Sequence, residues 1–269
     1  MRWLQEFIGH GDRVGIRSRN LARHTWLVGD VVDAGPAEFA SRIYLEHKEV
    51  RKYLGHVGNT VALRTICDIG AGYGRMSPVL LEYGERVVAF EREPELFKKG
   101  RLLNPSVEFR SVRTLYELPA LMGEFDFALV FTVLQHMNDA EGRSVAAEIT
   151  RVVDKSGFVL LCEDTDENYS YKDASDPDYY FTIGRHIDAY KAWMYPFTLT
   201  QVSPRIVEPT YARTRPGSFM LFAGPQAVIR GAEAPIVLHS TLTQPEPLAG
   251  ATSPANVNSC SRASKLGTK

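Results

Sequence analysis

The chain has 269 residues, a formal net charge of −1 and 44% hydrophobic residues. That length suits one α/β domain with appendages or two small domains, and the composition is ordinary for a soluble globular protein. The near-neutral charge argues against a general electrostatic grip on nucleic acid, which needs a basic surface, so no nucleic-acid partner is expected.

Residues 1–35 mix basic positions between Arg13 and Arg23 with apolar Trp26, Leu27 and Val28, and are expected to form an N-terminal arm. The opening M-R-W-L-Q-E-F-I-G-H-G-D has no sustained apolar core, so no signal peptide is expected. No run approaches the roughly 20 apolar residues of a membrane span, so no membrane partner is expected. Pro36 to His56 reads as a helix, with Phe39, Ile43, Tyr44, His47, Val50, Arg51 and Leu54 on one face, Pro36 in the first turn and Gly55 at the end.

Arg64 to Ser77 (R-T-I-C-D-I-G-A-G-Y-G-R-M-S) then carries the densest signal. Thr65 to Ile69 is short, apolar and β-capable, a buried strand. Gly70, Ala71, Gly72, Tyr73 and Gly74 make a glycine-rich turn, and Met76 to Tyr83 restores helical spacing. Glycines let a ligand approach the backbone closely, and the start of the next helix offers it unpaired N–H groups. Arg75 stands where a dinucleotide-binding turn of the G-x-G-x-x-G type has its third glycine. Asp68, two residues before the first glycine, would repel a pyrophosphate but could pair with an ammonium group. These features disfavour NAD and picture the ligand as an adenosine with a cationic amino-acid tail.

The stretch resembles the first motif, D-x-G-x-G-x-G, of the class I, Rossmann-like S-adenosylmethionine (SAM)-dependent methyltransferases of small-molecule type. The resemblance implies a doubly wound, mostly parallel seven-stranded sheet with an antiparallel last strand and helices on both faces. It also implies SAM as cofactor. In that family a helix before the first strand often covers the cofactor, a role open to Tyr44 or Tyr53, though both also suit packing onto the sheet.

Arg86 to Phe90 is the second strand and ends at Glu91, where a carboxylate could accept from both ribose hydroxyls. Pro94 to about Leu103 is a helix, and Val107 to Val112 is the third strand. The family commonly has an acid after that strand to meet the adenine amino group; this chain has Ser111, Val112, Arg113 and Thr114 instead, leaving backbone groups or a hydroxyl for the adenine. Phe125 to Thr132 is the fourth strand, nearly all apolar as a central parallel strand should be. The T-V-L-Q-H-M that follows resembles the family segment that passes beside the methyl group. The resemblance therefore assigns Asp68, Gly70, Ala71, Gly72, Gly74, Arg75, Glu91, Arg92, Val112, Thr132 and Gln135 to the cofactor. It gives Gln135 and His136 to the acceptor, with His136 or His186 as a general base. Taken alone, His136 would read as a surface or capping residue.

Asp139 to Val153 is an amphipathic helix ended by Lys155-Ser156-Gly157, and Phe158 to Cys162 is strand five. Glu163 to Phe197 (163–197) reads as an insertion over the acceptor, rich in acids and aromatics, with a helix from Arg185 to Met194 and with Tyr180, Tyr190 and Trp193 as candidate contacts. Asp164, Asp166 and Glu167 could recruit a metal, but loop acids of this kind are ordinarily solvated and no metal is expected. Phe197 to Val202 and Ser218 to Ala223 supply the closing antiparallel strands. The domain is thus placed at 36–224, and the Ala-, Pro- and Ser-rich 225–269 is expected to be a disordered tail. Cys67, Cys162 and Cys260 are isolated, the first two as small core residues, which with no disulfide framework points to the cytoplasm.

The sequence thus reads as an enzyme moving the methyl group of SAM to an O or N atom of a small organic acceptor. The alternative is a SAM- or nucleotide-binding regulatory or scaffold protein. No oligomeric state is implied.

Overall fold

The computed structural model describes residues 36–172, 181–205 and 217–228. The expected arm, Tyr180, Cys260 and all but the start of the expected tail lie outside the described residues.

The strands come first, because the sheet positions everything else. β1 (Thr65–Ile69), β2 (Arg86–Glu91), β3 (Glu108–Ser111), β4 (Phe125–Phe131), β5 (Val153–Asp164), β8 (Thr198–Pro204) and β9 (Gly217–Ala223) form one sheet in the order β3-β2-β1-β4-β5-β9-β8. The first five pair in parallel, and β9 inserts antiparallel between β5 and β8. This is the doubly wound, seven-stranded sheet with its antiparallel last strand. β6 (Ser170–Lys172) and β7 (Phe181–Ile183) form a separate antiparallel pair.

Side chains alternate between the two faces of a strand, and both faces here are apolar. Cys67, Val130, Val159, Leu161, Met220 and Phe222 point to one side. That side is covered by α4 (Asp139–Val152), through Val145, Ala146, Ile149 and Val152, and by α5 (Ile187–Trp193), through Tyr190. Ile66, Phe127, Leu129, Leu160, Phe219 and Leu221 point to the other. There α1 (Pro36–Gly58) lays down Val50, Tyr53, Leu54 and Val57, beside the single-turn α2 (Ser77–Leu80). α3 (Pro94–Leu103) links β2 to β3. Among the described residues no helix is long and apolar enough to cross a membrane.

Several boundaries differ from the sequence reading for physical reasons. α1 runs through Gly55 to Gly58, and its helical face turns Tyr44 outward at 64% exposure while Tyr53 is wholly buried. Tyr53 stacks on Phe219 and shares a 2.6 Å hydrogen bond with Ser203, so it ties α1 to the sheet. The helix expected over Met76 to Tyr83 is only Ser77–Leu80, because bonding at Glu82 and Tyr83 reaches three residues back and turns the chain into β2. α4 ends at Val152, and β5 starts at once with an irregular register opposite Phe125 and Phe127, so Lys155 to Gly157 belong to the strand. β5 also continues through Glu163 and Asp164, which the sequence reading had placed in a loop.

Gly100 in α3 tests packing against propensity. Alanine is worth about 1 kcal/mol over glycine inside a helix, but a Cβ at Gly100 would sit 2.3 Å from Cε1 of Phe109, a ring packed edge-on against Phe97. Overpacking of this kind costs about 1–3 kcal/mol. Gly100→Ala is therefore expected to lower stability by up to about 2 kcal/mol in urea denaturation, its propensity gain deducted.

Candidate cofactor and acceptor site

The carboxyl ends of β1, β2, β4 and β5 lie along one edge of the sheet, where such folds bind ligands. After β1 the chain turns through Gly70, Gly72 and Gly74 at φ of 72°, 60° and 79°, the left-handed region that glycine enters without a Cβ clash. The N–H groups of Gly70 and Ala71 both donate to the Phe90 carbonyl at the end of β2, at 3.0 and 3.1 Å. A Cβ on Gly70 would come within 2.7 Å of Val133 Cγ2, so the absent side chain lets this turn meet the segment after β4.

Two buried carboxylates flank the turn. Glu91 Oε2 accepts from the Gly72 N–H at 2.6 Å, and Oε1 accepts from the Glu93 N–H at 2.7 Å. Burial raises its carboxyl above the usual range even though these N–H groups pull it down. Asp68 is 2% exposed, and its Oδ2 has no hydrogen-bond partner. Burial, helped by the nearby charge of Glu91, pushes Asp68 up to about 7. An orphaned buried carboxylate oxygen carries a desolvation cost that a ligand cation would relieve. Two acids this close fit an ammonium group and a pair of hydroxyls, and would repel a pyrophosphate. The residues present therefore fit SAM.

The segment after β4 is held as tightly. Thr132 adopts φ of 57°, rare for a residue other than glycine, and its N–H donates to the Cys162 carbonyl at 2.8 Å. A 3-10 turn, Leu134–His136, follows. Gln135 is buried, and its Oε1 accepts from the Asp164 N–H at 2.9 Å, which leaves its amide nitrogen toward His136 Nε2 at 3.3 Å. His136 Nδ1 lies 2.8 Å from the Phe181 carbonyl. A carbonyl oxygen can only accept, so Nδ1 carries the proton and the Nε2 lone pair accepts from the Gln135 amide.

Other expected site residues are placed differently. Arg75 pairs with Glu46 of α1 and lies 5.0 Å over the Phe131 ring, while its carbonyl accepts from His47 Nε2 at 2.8 Å. Arg92 is largely exposed and pairs with Glu93. Val112 is buried beyond β3 and donates its N–H to the Glu91 carbonyl. Thr114, a candidate hydroxyl for adenine, accepts from the Tyr116 N–H at 3.0 Å. His186, expected as an alternative base, is the exposed N-cap of α5, where its ring accepts from the Asp188 N–H. Tyr190 is fully buried and donates to the Asp164 carbonyl. Trp193 packs onto α4, where a Cβ on Gly142 would lie 2.6 Å from the indole.

Two residues of this edge escaped the sequence reading. Glu163 is fully buried, and its carboxylate takes the N–H groups of Val133, Leu134 and Gln135 at 3.0–3.1 Å. Arg185, also buried, donates to the Leu134, Met137 and Ile183 carbonyls, pairs with Asp139 and lies 5.0 Å over the Trp193 ring. The available signal was an acid at the end of an apolar strand and a lone arginine ahead of a helix. Neither names a partner dozens of residues away.

Residues 67–161 match the family described as "Methyltransferase domain". No curated protein matches the chain in sequence. Among solved structures the chain is similar to a SAM-dependent methyltransferase from Methanosarcina mazei, with TM-score 0.54, 16% identity, and 62% of this chain and 96% of that one covered. It is also similar to the 1,6-didemethyltoxoflavin N1-methyltransferase of Burkholderia thailandensis, with TM-score 0.56, 17% identity, and coverage of 76% and 87%. The magnesium protoporphyrin IX methyltransferase of Synechocystis gives TM-score 0.56 and 14% identity over 81% and 97%. At such identities the likeness speaks for the fold. The family match spans the very strands and turns that bear Asp68, Glu91, Gln135 and His136, so it is the methyltransferase-like part of the chain that carries this sheet edge.

Proposed function

We propose that the domain moves the methyl group of SAM to an O or N atom of a small organic acceptor, in the cytoplasm. The observation that carries the reading is the buried, unbonded Oδ2 of Asp68 beside Glu91, at a turn whose glycines let a ligand reach the backbone. Asp68 would take the ammonium of the cofactor and Glu91 the ribose hydroxyls, with Gly70 to Gly74, Thr132, Val112 and Gln135 closing around them. When bound, the sulfonium supplies an electrophilic methyl carbon. What the protein adds is alignment of acceptor, methyl and sulfur, worth up to about 7–11 kcal/mol of barrier. The Burkholderia and Synechocystis enzymes, named for small organic acceptors, support that acceptor class.

Of the two candidate bases, His136 has the supporting geometry. For a hydroxyl acceptor that displaces the Gln135 amide from Nε2, Nε2 would take the hydroxyl proton as the oxygen–carbon bond forms and the methyl–sulfur bond breaks to leave the thioether, while Nδ1–H stays on the Phe181 carbonyl. An amine acceptor arriving neutral would need no base. His186, an exposed cap, is left out of this chemistry.

Asp68 must be ionised to hold an ammonium, and its carboxyl titrates near 7 without one. Affinity for S-adenosylhomocysteine is therefore expected to rise roughly 5–10-fold between about pH 6 and pH 7.5 in calorimetry, through release of that proton. Asp68→Asn should remove this dependence and weaken binding at least about tenfold; an unchanged affinity would refute the assignment. The same substitution should stabilise the cofactor-free protein. A carboxyl with a raised folded pKa favours the fold while protonated; that contribution is present below about pH 4 and lost as pH rises through about 7. At pH 8 the asparagine variant should therefore melt higher than wild type, by a free energy on the order of 1–3 kcal/mol. His136→Ala should lower turnover of a hydroxyl acceptor by about 10²-fold while leaving S-adenosylhomocysteine affinity within about twofold.

A further inference from the structure

Glu163 has no part in the chemistry above, yet its setting is the most constrained along this sheet edge. It lies on the β5 face that packs against α4 and α5, with Leu161 two residues before it, and its side chain is 0% exposed. Oε1 accepts from the N–H groups of Val133 at 3.0 Å and Leu134 at 3.1 Å, and Oε2 accepts from the Gln135 N–H at 3.0 Å. Three consecutive N–H groups that open a 3-10 turn are thus gathered on one carboxylate, the role an N-cap side chain plays locally, filled here from a neighbouring strand. An ionised acceptor makes each of these bonds stronger than a neutral one would.

The next residue continues the hold. The Asp164 N–H fixes Gln135 Oε1, which aims the Gln135 amide nitrogen at His136 Nε2. The end of β5 therefore grips Gln135 twice, by its backbone through Glu163 and by its side chain through Asp164. His136 is then spanned between that amide and the Phe181 carbonyl.

Resting on the acceptor-side role given to Gln135 and His136, we propose that Glu163 is the positioning residue for that side of the site. Its carboxylate holds the turn in the one arrangement where His136 keeps its proton on Nδ1 and its lone pair on Nε2. Glutamine at this position has nearly the same shape, but its NH₂ must face one or more backbone N–H groups, so the turn loses bonds and gains a donor–donor contact.

The experiment uses the full chain. Imidazole ¹⁵N shifts of His136 should show the Nδ1–H tautomer in wild type and a mixture of both tautomers in Glu163→Gln. A folded Glu163→Gln protein with wild-type His136 shifts would overturn the proposal, as would a wild-type His136 protonated on Nε2. If the variant does not fold, amide hydrogen exchange in wild type decides. Val133, Leu134 and Gln135 should each be protected about 10²-fold or more over free amides, and fast exchange at these three would overturn the proposal. Wild type that fails to bind S-adenosylhomocysteine but shows the expected tautomer and protection would remove the cofactor reading while leaving Glu163 in place.

Discussion

Parallel strands that stop along one edge leave the loops above them with N–H groups no neighbouring strand can reach, and burial makes each one costly to leave unpaired. This chain answers with carboxylates at the strand ends. Glu91 takes two backbone N–H groups from the glycine turn and the start of the next connection. Glu163 takes three from the segment after β4. Each bond to an ionised group is worth about 1.5–3 kcal/mol, which offsets the desolvation that raises both carboxyls. The loops around the site are consequently tied by hydrogen bonds to the ends of the strands below them.

Asp68 shows what the same residue type does when that answer is withheld. It sits as deeply as Glu91, but no backbone N–H reaches its Oδ2. Burial first and Glu91 second push its carboxyl up to about 7; burial pushes the fully bonded Glu163 up to about 7 as well, so what sets Asp68 apart is the unpartnered oxygen and not its pKa. Stability alone would favour an amide or an apolar residue there. An ionisable, unsatisfied group kept at such a cost is a common mark of a functional site.

The sequence showed the parts of this arrangement that are local. Strands β1, β2 and β4 were visible because parallel strands covered on both faces read as unbroken apolar runs. Asp68 and Glu91 were visible because the turn sets their spacing from the glycines. Contacts between distant segments were not. Glu163 reaches back 28 to 30 residues, and Arg185 as many as 51, to grip the same turn. Arg75 was legible as an anomaly, but its partner was not: it binds Glu46 in a helix that precedes β1. His47 of that helix is pushed below its usual range chiefly by burial, and its Nε2–H donates to the Arg75 carbonyl. The chain leaving the glycine turn is thereby fastened to α1 at two points.

The aromatics after β5 make the same distinction on the acceptor side. Their density suggested a roof over the substrate; of the described ones Tyr190 and Phe197 are buried, while Tyr195 is 81% exposed. Trp193 lies against Gly142 of α4 with the Arg185 guanidinium over its ring, and Tyr190 meets it edge-on while bonding the Asp164 carbonyl. Arg185 continues from that indole to the Leu134 and Met137 carbonyls on either side of the Gln135–His136 pair. The helix therefore acts as a brace: its rings anchor an arginine, and the arginine holds the far side of the turn whose near side Glu163 holds. The aromatic bulk thereby sets how firmly the Gln135–His136 turn is held.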